Sequence, residues 1–324
     1  DPRRILTVTY TVAATKDMAA RFAAKFGPEL AEQLEFRTIN GICAKVLQYY
    51  GYRTGKTPHQ LLNDEKRIVS FLAEIYQRVE RVYPTDGDLK NIRTLITYIK
   101  NMMLNDDEIE ALDEGAECKI SVIYREYCSK LKELQMIDYD DQMVYAYVML
   151  KKIPWLLEYF QELYPYICVD EAQDTSKIQH AIIALLAART ENLFMVGDED
   201  QSIYGFRAAY PEALLEFEQR HRDAKVLLME ENFRSDANIV AAADHFIQKN
   251  TLRHEKHMRA SRESVQQIKE IPVGTRKAQY AYLAKVAEGC TTETAVLYRE
   301  HECALPLIDL LERKGIPYRM RNAE

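Results

Sequence analysis

The stretch Tyr166-Ile167-Cys168-Val169-Asp170-Glu171-Ala172-Gln173-Asp174 sets the strongest limit on the fold. It opens as a short apolar run with β-favouring residues, as a buried strand would. It then stops in three acids within five residues. Carboxylates at the carboxyl end of a buried strand lie where open α/β sheets bind their ligands. An Asp there can hold Mg²⁺ on a nucleotide, and an adjacent Glu can orient or deprotonate water. A bare Asp-Glu pair is more often a solvated turn. Two further runs shift that balance. Residues 193–196 end in Gly197-Asp198-Glu199-Asp200-Gln201, and residues 225–229 end in Glu230-Glu231-Asn232-Phe233-Arg234-Ser235. Three strand-like runs that each end in polar groups point to one site built along a sheet edge.

Asp170-Glu171-Ala172-Gln173-Asp174, the run from Gly197 through Gln201, Tyr204 and Phe206 to Arg207, and Asn232-Phe233-Arg234-Ser235 resemble successive motifs of superfamily 1 DNA helicases of the UvrD/Rep/PcrA type. Their order and spacing match. Two earlier segments resemble the motifs of that family that touch single-stranded DNA. One runs from Ile5 through Thr9 and Tyr10 to Phe22, with Val12 where Asn is usual. The other is Thr38-Ile39-Asn40-Gly41, with Asn40 and Gly41 in place of His and Ser. The resemblance implies an α/β fold: a RecA-like parallel-sheet motor domain at 1–50 and 138–222, an all-helical insertion at 51–137, and the start of a second RecA-like domain at 223–324. It implies an ATP-dependent DNA helicase that uses ATP and Mg²⁺ and moves 3′ to 5′ on single-stranded DNA and duplex junctions, in repair or recombination.

The resemblance also assigns roles. Asp170, with Glu171, takes Mg²⁺, and Glu171 is the base or water-positioning group. Gln201 senses the γ-phosphate, Arg234 places positive charge on it, and Phe233 stacks on adenine where Tyr is common. Thr9, Tyr10, Thr38, Asn40, Tyr204, Phe206 and Arg207 line a single-strand track. The competing readings are a non-catalytic DNA-binding module and the motor half of a helicase–nuclease. Retention of Asp170, Glu171, Gln201 and Arg234 favours a working motor, because a scaffold has no chemical need for all four.

Gly51-Tyr52-Arg53-Thr54-Gly55-Lys56-Thr57 imitates a phosphate loop, but only three residues separate its glycines where four are required. It follows a helical stretch rather than a strand, so it reads as a surface loop. In the family the phosphate loop precedes the segment at Ile5, which is expected to place it upstream of Asp1. The polypeptide by itself is then expected to be a poor ATPase.

Composition is that of an ordinary soluble protein, with 47% hydrophobic and 29% charged residues among 324. The net charge of −7 argues against a broad electropositive surface while leaving room for a local basic groove. Six scattered cysteines with no Cys-x-x-Cys suggest reduced thiols and a cytoplasmic setting. Apolar faces at Ile68, Val69, Leu72, Ile75, Tyr76 and Val79, at Leu89, Ile92, Leu95, Ile96 and Ile99, and at Val122, Ile123, Tyr127, Leu131 and Leu134 predict helices from residue 64 to about 134. Asp138, Asp140 and Asp141 read as a helix start. Strands are expected at 225–229 and 294–299. His254-Glu255-Lys256-His257 is one residue short of a zinc-protease pattern and is expected to be exposed.

Overall fold

The computed structural model describes residues 1–205, 208–221 and 223–320. It divides into two units, Asp1–Met229 with Ile247–Lys256, and Glu230–Phe246 with His257–Glu324.

The first unit starts with β1 (Ile5–Thr9), α1 (Val12–Phe26), the single turn α2 (Pro28–Ala31), β2 (Glu35–Thr38) and α3 (Ile39–Thr54). Each long helix begins where a hydroxyl caps it. Thr11 Oγ1 accepts from the Ala14 N–H at 3.0 Å, and Thr38 Oγ1 accepts from the Gly41 N–H at 3.1 Å. The imitation phosphate loop is the end of α3. Gly51 is buried there, Gly55 closes the helix at φ 70°, and a Cβ on Gly51 would meet the Lys56 carbonyl oxygen at 2.8 Å. Helix geometry rather than phosphate geometry thus accounts for both glycines.

The chain then leaves the sheet. β3 (Gln60–Leu61) is followed by α4 (Glu65–Glu80), α5 (Asp86–Met102), α6 (Asp106–Ala111), α7 (Ile120–Glu133) and β4 (Met136–Ile137). β3 and β4 pair in parallel, Gln60 opposite Met136 and Leu61 opposite Ile137, so the helical segment departs and returns at neighbouring points. Leu72, Ile75, Ile92, Ile99, Ile123, Tyr127 and Leu131 form a core of their own, apart from that of the sheet. Burying each aliphatic side chain contributes about 1.5–3 kcal/mol.

α8 (Tyr139–Lys152) and α9 (Pro154–Leu163) lead back to β5 (Tyr166–Val169), α10 (Lys177–Ala187), β6 (Leu193–Met195) and the single turns α11 (Glu212–Leu215) and α12 (Phe217–Arg220). Asp138 caps α8, as its position in sequence suggests, accepting from the Asp141 N–H at 2.7 Å. The acids there also do something the sequence did not announce. Lys100 on α5, with a side chain only 2% exposed, lies 2.7 Å from both Asp138 and Asp141. Asp140 accepts from Thr97 at 2.8 Å and from Asn101 at 2.7 Å. Burial alone would lower the Lys100 pKa, but the two carboxylates outweigh it and hold the ammonium charged. This buried cluster fastens the helical segment to α8.

In the sheet, the order is β2-β1-β5-β6 and every pairing is parallel. Leu6, Val8, Ile42, Val46, Phe160, Ile167, Val169 and Ile182 fill its core. The parallel sheet among helices matches the expected α/β, RecA-like class.

The second unit contains β7 (Glu231–Asp236), α13 (Ala237–Ile247, whose last residue groups with the first unit), β8 (Arg259–Arg262), α14 (Arg276–Glu288) and α15 (His301–Arg313). β7 pairs in parallel with β8, and α14 packs on α15 through Ala284, Leu307 and Leu311. Two strand expectations are corrected here. Residues 225–229 and 294–299 form no strand. An apolar run becomes a strand only beside a partner for its backbone groups, and the edge of β8 is taken by Glu231–Asp236 instead. No helix among the described residues is long and apolar enough to cross a membrane.

Candidate functional site

Four parallel strands place all four carboxyl ends along one edge. The direction of strand addition reverses between β1 and β5, and open α/β sheets bind ligands in the crevice at such a reversal. Thr9 and Tyr10 lie at the end of β1, Thr38 and Asn40 where β2 gives way to α3, and Asp170 and Glu171 just after β5. Register fixes the grouping. Thr9 stands opposite Thr38, and the Asp170 N–H donates to the Val8 carbonyl at 3.0 Å.

Thr9, Tyr10, Thr38 and Asn40 line a single recess of about 280 Å³, together with Val12, Tyr139 and Gln179. Thr9 Oγ1 and Asn40 Oδ1 are buried there with no protein hydrogen-bond partner among the described residues. Buried polar atoms are normally paired, so two unpaired ones on one recess mark it as suited to a polar ligand. The Tyr10 ring stacks on Tyr204, centroids 6.0 Å apart and planes 18° apart. Phe206 and Arg207, the remaining members of the expected track, lie outside the described residues.

Beyond β5 the backbone is strained. Glu171 sits at φ 51°, ψ 44°, a left-handed conformation uncommon for a residue with a side chain. Gln173 holds it. This buried amide donates from Nε2 to the Glu171 carboxylate at 2.7 Å and accepts at Oε1 from the Asp198 N–H at 3.0 Å. One side chain therefore joins the acids after β5 to the loop after β6. Gly197 makes the approach feasible, because a Cβ there would meet Gln173 Oε1 at 2.9 Å and Leu214 at 2.8 Å. Gln173 was absent from the expected site residues. Its sequence signals were its place inside the Asp170-Glu171-Ala172-Gln173-Asp174 motif and an amide, donor and acceptor in one group, two positions after the catalytic candidate.

Burial raises the pKa of Asp170 and Asp174, and the nearby Glu171 carboxylate raises both further. Three crowded acids with no ion pair among the described residues fit a divalent ion. Among the described residues no group of three His, Cys, Asp or Glu forms a metal cage. Mg²⁺ on a nucleotide needs only one or two carboxylates, the rest of its shell being water and phosphate.

The acids after β6 are placed differently. Arg253 forks onto Asp200, Nε at 2.9 Å and Nη2 at 2.8 Å. Lys256 Nζ lies 2.6 Å from Asp198, 3.2 Å from Glu199 and 3.3 Å from Asp200. The His254 N–H donates to Glu199 at 2.8 Å. The expectation that His254–His257 is exposed is therefore corrected for its middle: Lys256 is largely buried among three carboxylates. No periodicity announces a pairing between residues more than 50 positions apart. Gln201, whose side chain is exposed, donates to Asp198 at 2.7 Å and so rides on this strapped loop.

Phe233 and Arg234 belong to the second unit. The β7–β8 register shifts between Asn232 and Asp236, and Asn232 Oδ1 accepts from the N–H groups of Arg234 at 3.0 Å and Ser235 at 2.9 Å. Phe233, 66% exposed, and the exposed Arg234 lie within this irregular stretch, between the paired positions Asn232 and Asp236. The structure thus gathers Thr9, Tyr10, Thr38, Asn40, Asp170, Glu171, Gln201 and Tyr204 within the first unit and sets Phe233 and Arg234 in the second.

Residues 1–222 match the model of the UvrD/REP helicase N-terminal domain, and residues 227–324 match that of the UvrD-like helicase C-terminal domain. The chain is 29% identical over 327 aligned residues to the ATP-dependent DNA helicase PcrA of Staphylococcus epidermidis, covering 98% of this chain and 44% of that protein. It is 28% identical to PcrA of Leuconostoc citreum with the same coverage, and 31% identical over 258 residues to PcrA of Bacillus subtilis, covering 79% of this chain and 35% of that one. It spans less than half the length of these relatives. With both domain models matched in order along nearly its whole length, the chain belongs to the UvrD/REP helicase family.

Proposed function

We propose that this chain is part of an ATP-dependent DNA helicase that moves 3′ to 5′ along single-stranded DNA, in repair or recombination. The observation that carries the reading is the shared edge of the parallel sheet, where strand-end acids and a recess lined by Tyr10, Thr38 and Asn40 lie side by side. The relatives' printed name, ATP-dependent DNA helicase, supports it. The domain proposal is a motor domain at 1–50 and 138–222, a helical insertion at 51–137 and the start of a second motor domain at 223–324. Six cysteines with no disulfide fit a cytoplasmic, reducing setting.

Each residue has a role in this reading. Asp170 and Glu171 would hold Mg²⁺, which would supply charge neutralisation for phosphoryl transfer. Glu171, fixed by Gln173 in its left-handed conformation, orients or deprotonates the attacking water. Gln201 senses the γ-phosphate and passes the signal to Tyr204, three residues along the same loop. Arg234 puts positive charge on the γ-phosphate, where it develops in the transition state, and Phe233 stacks on adenine. Tyr10 and Tyr204, with Phe206 and Arg207, grip bases at about 1–3 kcal/mol per stacked base whatever the sequence. Thr9, Thr38 and Asn40 bond the sugar-phosphate chain. A motor that must move along any sequence needs this kind of grip, and alternating it with ATP turnover yields translocation.

The test is Glu171→Gln in the full-length protein. ATP binding should persist while DNA-stimulated hydrolysis falls by about 10²–10⁴. Lost ATP binding with unchanged residual turnover overturns the role.

A further inference from the structure

The far end of α3 carries a second surface that the motor chemistry does not use. Tyr49 of α3 stacks on Tyr159 of α9 with centroids 3.8 Å apart and planes 11° apart, and Tyr50 stacks on Trp155 at 6.1 Å and 12°. Cations lie over these rings. The Arg53 guanidinium is 5.8 Å from the Tyr49 centroid and 5.6 Å from that of Trp155, and Lys56 Nζ is 5.8 Å from that of Tyr50. Arg53 also donates to the Tyr49 hydroxyl at 3.0 Å. Trp155 remains 39% exposed, and the neighbouring Tyr52 is almost wholly exposed.

Acids are sparse in the sequence around this cluster, although the exposed Glu158 follows Trp155 by three residues. Residues 36–63 contain no Asp or Glu, and neither do residues 142–157, although 50 of the 324 residues are acidic. These two acid-free stretches supply α3, the end of α8 and the start of α9. Lys151 and Lys152 precede Trp155 by four and three residues. None of Arg53, Lys56, Lys151 and Lys152 is in an ion pair among the described residues, whereas Lys45, on the same helix, is paired with Glu35. A cation at a helix C-terminus is ordinary. Two cations, Arg53 and Lys56, lying over aromatic rings with no ion pair among the described residues, and two more, Lys151 and Lys152, close by in sequence, are not, in a chain of net charge −7.

We propose that this surface is a second binding site for single-stranded nucleic acid, about 20 Å along α3 from the recess at Thr38 and Asn40. The cations take phosphates, and the exposed parts of Trp155 and Tyr52 take bases. Interleaved cations and aromatics are how proteins hold a single strand without reading its sequence. An acidic protein segment would be drawn to the charge but would leave the rings without stacking partners. The site does not depend on the ATPase reading, because neither the acids after β5 nor Gln201 takes part.

Trp155 is the sole tryptophan of the chain, so its fluorescence reports this surface alone. Titration with oligothymidylate, in deoxy and ribo forms, should quench Trp155 saturably. Arg53→Ala/Lys56→Ala should weaken labelled-oligonucleotide binding about tenfold. It should also lower the slope of log affinity against log salt by about 1.4, at about 0.7 counterion per phosphate contact on single strands. Tyr10→Ala should weaken overall binding while leaving the Trp155 quench in place, which separates this site from the recess. Both changed cations are exposed, so the circular dichroism spectrum should be unaltered. Binding by anisotropy without quenching, or quenching matched by polyglutamate at equal charge, would overturn the proposal.

Discussion

Two acid clusters follow neighbouring strands of one sheet, and they are built in opposite ways. After β5, Asp170, Glu171 and Asp174 crowd together with no ion pair among the described residues, and the Asp170 and Asp174 pKa values rise through burial and the Glu171 charge. After β6, burial pushes Glu199 and Asp200 in the same direction and is outweighed. The His254 N–H and Lys256 hold Glu199 below its ordinary range, and Arg253 with Lys256 does the same for Asp200. Similar composition therefore does two jobs. Acids left without counter-charge keep their affinity for a ligand cation. Acids already neutralised by the chain hold a loop in place. The buried Lys100–Asp138–Asp141 cluster also joins elements through ion pairs, although burial leaves the Asp141 pKa raised.

This contrast can be broken at several points. The largest effect on folding should come from Arg253→Ala. It removes one partner of a pair whose side chains are 5% and 10% exposed, and should destabilise the chain by about 3 kcal/mol in urea unfolding. A loss below about 0.5 kcal/mol would mean that the strap is not formed in solution. Gln173→Ala is expected next, at about 1–3 kcal/mol, because it leaves the Asp198 N–H without its acceptor. In the full-length protein it should also lower turnover through the freed Glu171, and Gln173→Glu should not restore it, because a carboxylate keeps an acceptor for the Asp198 N–H but has no donor for Glu171.

The smallest change has the opposite sign. Asp174→Asn should stabilise the fold by under about 1 kcal/mol by relieving repulsion with Glu171, whereas Asp200→Asn should cost stability by loosening the Arg253 fork. The pH dependence follows the same division. Asp170 and Asp174 have folded pKa values above the ordinary 3.8, so their contribution is fully present below pH 3.8 and is lost as pH rises through the folded values. Glu199 and Asp200 have folded values below 4.5 and 3.8. Their contribution is present above those values and is lost as pH falls through the folded ones. Arg253→Ala should flatten the acid limb of the unfolding profile, and Asp174→Asn the limb above it. Identical pH profiles for the two variants would show that the clusters do not differ in this way.

Much of the fold was legible because its signals are local. The helices between residues 64 and 134 follow from the spacing of Ile68, Leu72 and Ile75 and its repeats, and all three are buried. β5 and β6 follow from short apolar runs that end in polar residues. The missing strands at 225–229 and 294–299 show the limit of that logic, since an apolar run does not carry its own hydrogen-bonding partner. The candidate site divides in the same way. Tyr10, Thr38, Asp170 and Gln201 were readable from motif and strand end, whereas Gln173, Arg253 and Lys256 owe their places to partners across the fold.

The sequence alone determined which side chains could do chemistry and which segments would be helix or strand, because periodicity, capping and residue type act within a few positions. Only the tertiary structure decided which acids would be neutralised, which polar atoms would stay unpaired on the recess at Tyr10, and which rings would stack at the far end of α3. Charge and hydrogen bonding act over a few ångströms in space, and the residues that meet there, such as Arg253 and Asp200, stand 53 positions apart along the chain.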